Sequence, residues 1–193
     1  MSDQRRPCSQ SSRSPTGSMA DQLAEAASPW VRRWVAGLSD QSDVLDLACG
    51  NGRHLALLAS LGHWVTGVDR DVAAARGPRL PGVVLIEADL EQGPWPLPGR
   101  QFDAVVVTNY LWRPLLPTIV ASVAVGGLLV YETFMVGHEQ YGRPRNPDFL
   151  LQPDELRQAV SGQLEVMEFA QGPEGSPVTA VRQRLAARRT EGR

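Results

Sequence analysis

The chain has 193 residues and a mass of 21.0 kDa, enough for one folded domain and crowded for two. With 42% hydrophobic and 21% charged residues, wholesale disorder, collagen and a coiled-coil rod are excluded. The longest apolar stretch, Thr118–Tyr131, is interrupted by Gly126-Gly127 and is too short to cross a bilayer, so no membrane is expected as a partner. The net charge of −2 is unevenly spread. Residues 1–18 carry +2 (Arg5, Arg6 and Arg13 against Asp3), and residues 182–193 carry +4 (Arg182, Arg184, Arg188, Arg189 and Arg193 against Glu191). That leaves −8 on the body, which argues against a DNA- or RNA-binding surface and makes the basic ends read as solvated termini. Lysine is absent, which rules out Schiff-base chemistry and a Walker-type phosphate lysine. The two cysteines, Cys8 and Cys49, make neither a disulfide framework nor a zinc quartet. Arg5-Arg6 is followed by no apolar run, so no secretory signal is read there and a cytoplasmic location is expected.

In chain order, residues 1–18 are Ser-, Gln-, Arg- and Pro-rich and read as a disordered tail. Asp21–Leu38 has apolar residues near helical spacing, with a break or restart at Pro29. Val44–Ala48 reads as a buried strand running into the turn Cys49-Gly50-Asn51-Gly52, followed by a helix over Arg53–Leu61. Trp64–Val68 is a second strand closed by Asp69, Asp71–Arg76 a short helix, and Val83–Glu87 a third strand followed by Ala88-Asp89-Leu90. After the Pro- and Gly-rich loop Gly93–Arg100, the nearly all-apolar Asp103–Thr108 suits the centre of a parallel sheet. Arg113–Val123 reads as a helix, Leu128–Glu132 as a fifth strand, and Phe134–Leu151 as a long irregular segment expected to act as a lid. Pro153–Val160 is a helix, and Leu164–Phe169 and Val178–Leu185 are final strands joined by a turn over Gly172–Pro177. The fold class is therefore α/β: a Rossmann-like open sheet, mainly parallel, with a C-terminal antiparallel hairpin and helices on both faces. The expected organisation is a tail over 1–18, one domain over 19–186 and a basic C-terminal tail over 187–193.

In an open α/β sheet, ligands bind beyond the carboxyl ends of the strands. Glycines at 50 and 52 let the backbone approach a ligand and turn into a helix whose N–H groups are free. A dinucleotide fingerprint starting at Gly50 would need a third glycine where Leu55 stands. Asp46-Leu47-Ala48-Cys49-Gly50-Asn51-Gly52-Arg53 instead resembles the first motif of class I S-adenosylmethionine-dependent methyltransferases, with Ala48 replacing the first glycine. The A-C-G-x-G-R loop is similar to that of tellurite-resistance-type small-molecule methyltransferases. Val65–Asp69, Ala88-Asp89-Leu90, Phe102-Asp103 and Gly126-Gly127 resemble the later motifs in order and spacing, so the resemblance covers Asp43 to about Val130.

The resemblance implies S-adenosyl-L-methionine as cofactor and a methyl acceptor as substrate. It places Asp46, Ala48, Cys49, Gly50, Gly52, Arg53, Asp69, Arg70, Asp89, Leu90 and Asn109 around the cofactor. The chemistry agrees: a carboxylate at 69 can accept two ribose hydroxyls, one at 89 an adenine amine, and Asp46 can fix the loop or meet an ammonium through water. The chain has no sizeable addition for gripping a macromolecule, so a small-molecule acceptor is expected. It should sit at the ends of strands four and five, where Tyr110 can position it and Glu132 or His138 can serve as general base. Arg143 and Arg145 suit an anionic acceptor. No metal-ligand cluster is read; His54 reads as structural or ligand-flanking, and His63 as a surface turn residue. A non-catalytic cofactor-binding module and a nicotinamide-dependent oxidoreductase remain rival readings.

Overall fold

The computed structural model describes residues 18–191. Of the tail expected over 1–18, only Ser18 falls among them, and it begins the fold. Its hydroxyl accepts the Asp21 N–H at 3.2 Å while Asp21 Oδ2 accepts the Ser18 N–H at 2.9 Å, a reciprocal cap on helix α1 (Met19–Glu25). Pro29 starts rather than ends a helix. Ser28 caps α2 (Pro29–Val35), accepting from the N–H groups of Trp30 and Val31.

The sheet comprises β1 (Asp43–Leu47), β2 (Trp64–Asp69), β3 (Val83–Glu87), β4 (Phe102–Thr108), β5 (Val123–Phe134), β6 (Glu165–Glu174) and β7 (Ala180–Arg188). Their order is β3-β2-β1-β4-β5-β7-β6. The first five are parallel, and β7 runs antiparallel to both β5 and β6, which matches the expected Rossmann-like sheet with an edge hairpin. Alternation along the central strands sorts the core onto two faces. Leu45, Leu47, Val105, Val107, Leu129 and Tyr131 pack with α5 (Leu116–Ala121) and α6 (Glu155–Val160). Val44, Ala104, Val106, Leu128 and Val130 pack with α2 and α3 (Arg53–Ser60). Gly67 belongs to this second layer: a Cβ there would stand 2.9 Å from Leu55 and 3.0 Å from Leu85, so only glycine lets α3 lie this close to β2.

Several elements differ from expectation at their ends. The helix expected over 113–123 is a 3₁₀ turn, Arg113–Leu115, followed by α5, because Val123 already pairs with Phe102. The fifth strand runs the full Val123–Phe134, its register shifting at Gly127, where a Cβ would meet the carbonyls of Ala124, Phe102 and Asp103 at 2.8–3.0 Å. The helix expected over 71–76 is reduced to α4 (Ala73–Arg76). The hairpin strands are longer than the apolar runs that predict them, because ladder pairing continues through Glu174 and Arg188. Arg189 extends it: its N–H donates to Gly127 and its carbonyl accepts from Gly126. Residues 187–189 are therefore part of the sheet rather than a tail, and the boundary expected at 186 falls inside a strand. No helix among the described residues is long and apolar enough to cross a membrane.

Candidate functional site

The chain leaves β3 at one sheet edge and re-enters beside β1 as β4, so the strand order reverses between β1 and β4. At the carboxyl ends of these strands lies a cavity of about 290 Å³. Ala48 follows β1 at φ 55°, Gly50 stands at φ 53°, and Gly52 at φ 83° precedes α3. A non-glycine residue at 48 holds a left-handed conformation at a cost of about 1–2 kcal/mol, and such strain gathers at binding sites. The turn is tied to β2: Cys49 N–H donates to the Val68 carbonyl at 3.1 Å, and Gly50 N–H to Asp69 Oδ2 at 2.8 Å. Asp69 Oδ1 accepts from Asp71 N–H at 3.1 Å, leaving each carboxylate oxygen a further lone pair. Asp89 Oδ1 accepts from the N–H groups of Glu91 and Gln92, which hold its carboxyl below the usual range; Oδ2 takes no hydrogen bond among the described residues.

Six of the expected cofactor residues line this cavity: Ala48, Asp69, Arg70, Asp89, Leu90 and Asn109. Tyr110, expected at the acceptor, lines it too. Its hydroxyl is buried without a partner among the described residues. Burial and the carboxylates of Glu91, Asp89 and Asp69 push its pKa up, which makes it a hydrogen-bond donor rather than a base at neutral pH. Gly50 forms the turn, and a Cβ at 50 would touch nothing within 4 Å. Cys49 and Gly52 are buried within the turn. Asp46 lies beneath it, 1% exposed, with neither carboxylate oxygen partnered among the described residues. Burial pushes its pKa up to about 8, Arg53 opposing and Asp69 adding to the shift. Arg53 faces the other way, into a second cavity.

That second cavity, about 860 Å³, lies between α2, β5, the segment after β5 and the β6–β7 hairpin. Five arginines wall it (Arg33, Arg53, Arg143, Arg182 and Arg184) against two glutamates, Glu132 and Glu174. Glu132 is 5% exposed and accepts from Arg184 Nε at 2.6 Å, with Arg182 at 4.0 Å. Glu174 reaches the same two arginines, at 3.2 Å from Arg182 and 2.5 Å from Arg184. Arg182 also lies 3.9 Å over the Phe134 ring and donates to Asn109 Oδ1 at 2.6 Å. Asn109, itself left-handed at φ 55°, lines the smaller cavity, so this hydrogen bond links the walls of the two.

His138 lines the larger cavity with both ring nitrogens engaged by backbone. The Val181 N–H can only donate, so Nδ1 is the acceptor at 3.4 Å and Nε2 carries the proton to the Arg143 carbonyl at 3.0 Å. The ring stacks on Phe134 at 4.0 Å. His138 therefore pins the segment that carries Tyr141 and Arg143 over the cavity; the geometry suits positioning better than proton transfer. The outer part of the segment expected as a lid is also anchored: Met135 bridges Leu151, and Arg113 donates to the carbonyls of Asp148 and Leu150 while paired with Glu155. Arg145 does not line the cavity.

His54 is structural. Nε2 accepts the Ser28 N–H at 3.1 Å and Nδ1 faces Thr108 Oγ1 at 3.4 Å, while burial and Arg53 push its pKa down to about 3. His63, expected on a surface turn, is only 5% exposed: its N–H is held by the Leu58 carbonyl of α3 and the next residue opens β2, an inner strand. Arg182, Arg184 and Glu174 are site residues that sequence reasoning misses. The signal is present: arginines two apart in an apolar strand share one face, and counting them with the solvated terminus hides it.

Comparison with known proteins agrees with the geometry. Residues 44–125 match the family described as a methyltransferase domain. Trans-aconitate 2-methyltransferase of Paracidovorax citrulli (strain AAC00-1) is 35% identical over 105 residues, 49% of this chain and 40% of that protein. The chain thus matches well under half the length of that curated relative. Among solved structures, TehB from Haemophilus influenzae aligns with a TM-score of 0.67 at 21% identity, over 86% of this chain and 63% of that one. A TehB-like SAM-dependent methyltransferase from Corynebacterium glutamicum ATCC 13032 Kitasato aligns at 0.62 and 19% identity, over 88% of this chain and 94% of that one. At these identities the two structures establish the fold.

Proposed function

We propose that this chain, whose residues 44–125 match a methyltransferase domain, is a class I S-adenosylmethionine-dependent methyltransferase acting on a small anionic acceptor. The observation that carries the reading is the pairing of two unlike cavities, one at the carboxyl ends of β1–β4 and one walled by arginines, whose walls are linked by the Arg182–Asn109 hydrogen bond. The smaller fits the cofactor. The unpartnered Tyr110 hydroxyl, the open space over Gly50 and the spare lone pairs of Asp69 and Asp89 suit a ligand with ribose hydroxyls and an amine. In this reading Asp69 holds the ribose, Asp89 and Leu90 the adenine, and the turn at Ala48–Gly50 the methionyl part. Asp46 sits beneath that turn as a buried carboxyl that burial keeps protonated, placed to hydrogen-bond to the methionyl end.

S-adenosylmethionine, when bound, supplies a methyl group on a positively charged sulfur, so transfer needs little activation from the protein. The chain's residues then align the acceptor and exclude water. Arg143, Arg182 and Arg184 draw an anion into the larger cavity, and Glu132 orders the two strand arginines. Tyr141 and Arg143 close over it from the segment that His138 holds. The name of the 35% identical relative, a trans-aconitate methyltransferase, supports a carboxylate acceptor. A cytoplasmic location belongs to the same reading. The test is transfer of labelled methyl groups to a panel of mono-, di- and tricarboxylates alongside amines and catechols. Turnover confined to carboxylates is expected; turnover on amines alone would remove the anionic acceptor while leaving the methyltransferase.

A further inference from the structure

We infer that Arg182 and Arg184 form a carboxylate subsite in the larger cavity, and that Glu174 occupies it as an internal stand-in which an acceptor carboxylate displaces. The inference rests on the reading that this cavity receives the acceptor. Arg182 and Arg184 project from the same face of β7, and each touches two carboxylates of different standing. Glu132 comes from the central strand β5, opposite Arg184 in the ladder, and its side chain is 7% exposed; it is a fixed counter-ion. Glu174 is the last residue of β6, and its side chain is 40% exposed, with the cavity on one side and solvent on the other. Its carboxylate bridges the two guanidinium groups, meeting Arg182 Nε and Arg184 Nη2. Each carboxylate oxygen thus meets a different guanidinium, a pair of charge-assisted contacts that another carboxylate can accept in its place.

Charge points the same way. With Glu174 in place the two arginines are balanced by two glutamates; with Glu174 swung out they carry one uncompensated positive charge inside the cavity. Arg182 also donates to Asn109 on the wall of the smaller cavity, so a carboxylate taking the place of Glu174 is separated from that wall by one guanidinium group. A half-exposed ion pair exchanges one carboxylate for another at small cost, because the incoming carboxylate accepts the same guanidinium hydrogen bonds that Glu174 gives up. Glu174 stands at the tip of a hairpin whose turn, residues 175–179, has no ladder partner, so a swing of its side chain disturbs no strand pairing.

The experiment is calorimetric titration of the full chain, saturated with S-adenosylhomocysteine, with succinate and with tricarballylate. Wild type, Glu174→Gln and Glu174→Asp are compared. Removing the internal carboxylate should tighten both anions by roughly tenfold, the scale of one charge-assisted hydrogen bond. Glu174→Asp, which keeps the charge on a shorter stem, should fall between. Unchanged or weaker binding by Glu174→Gln, with wild type binding the anions, would overturn the stand-in and make Glu174 a brace for the arginines. Binding of S-adenosylhomocysteine with no anion binding by any variant would overturn the subsite and the anionic-acceptor reading together. Glu174→Ala repeats the test should the glutamine variant misfold.

Discussion

The two cavities are made of different materials. The smaller is a backbone structure: left-handed residues at 48, 50 and 52, N–H groups docked on Asp69 and Asp89, and a phenol at Tyr110 with no partner among the described residues. The larger is a side-chain structure, a lattice of arginines and glutamates spread over β5, β6 and β7 and the segment after β5. Backbone geometry is shared by every ligand that presents the same nucleoside. A charge lattice is retuned by one substitution, so the chemistry of the acceptor should be encoded in the second cavity alone. If this division holds, substitutions in one cavity should leave the function of the other nearly intact.

The largest separation is expected from Glu132→Gln. It strips from Arg184 and Arg182 the counter-ion that orders them in the larger cavity. Turnover should fall by about a hundredfold or more, while S-adenosylhomocysteine affinity stays within about twofold of wild type; a parallel loss of both would join the cavities into one functional unit. The reverse separation comes from Asp69→Ala, which removes a carboxylate from the smaller cavity. Isothermal titration should show S-adenosylhomocysteine affinity weakened by about 1–3 kcal/mol, and wild-type affinity there would remove the β2 carboxylate from the cofactor.

A different kind of effect, on the pH dependence of stability, concerns Asp46. The fold holds its proton up to about pH 8, whereas the unfolded chain releases it near the ordinary carboxyl value of 3.8. Between those values the native state binds the extra proton, so stability falls as pH rises, by up to about 1.4 kcal/mol per unit. Thermal melts of Asp46→Asn should show a flatter dependence across pH 5–8 than wild type; coincident slopes would mean that Asp46 is ionised in the fold. The smallest effect is Ala48→Gly, which relieves a left-handed alanine and should stabilise by about 0.5–1 kcal/mol. Denaturant melts measure it, and destabilisation would show that the turn is not strained at 48.

The same division explains what can be read from the chain alone. The sheet and the smaller cavity are local in sequence: an apolar run ending in Asp46-Leu47-Ala48, glycines at 50 and 52, and acids closing the next two strands. Each signal spans a few residues and places its group at a strand end without knowledge of distant partners. The larger cavity depends on pairing of Glu132 with Arg184 across 52 residues and of Asn109 with Arg182 across 73. No local pattern reports such pairings, so Arg182 and Arg184 read as part of a solvated end although they face inward. Tyr110 reads as an acceptor residue because it follows β4, yet the side chain turns toward Asp69 and Asp89. The extension of β7 to Arg188 is hidden for a related reason: its arginines look like a tail until the register with β5 is known.

The central claim, that the cleft at the ends of β1–β4 is built for a sulfur nucleoside, is tested most directly by titrating the purified chain with S-adenosylmethionine, S-adenosylhomocysteine and NAD. Stoichiometric binding of the first two and none of NAD is expected. Binding of NAD with neither sulfur nucleoside would contradict it and return the glycine turn to dinucleotide chemistry.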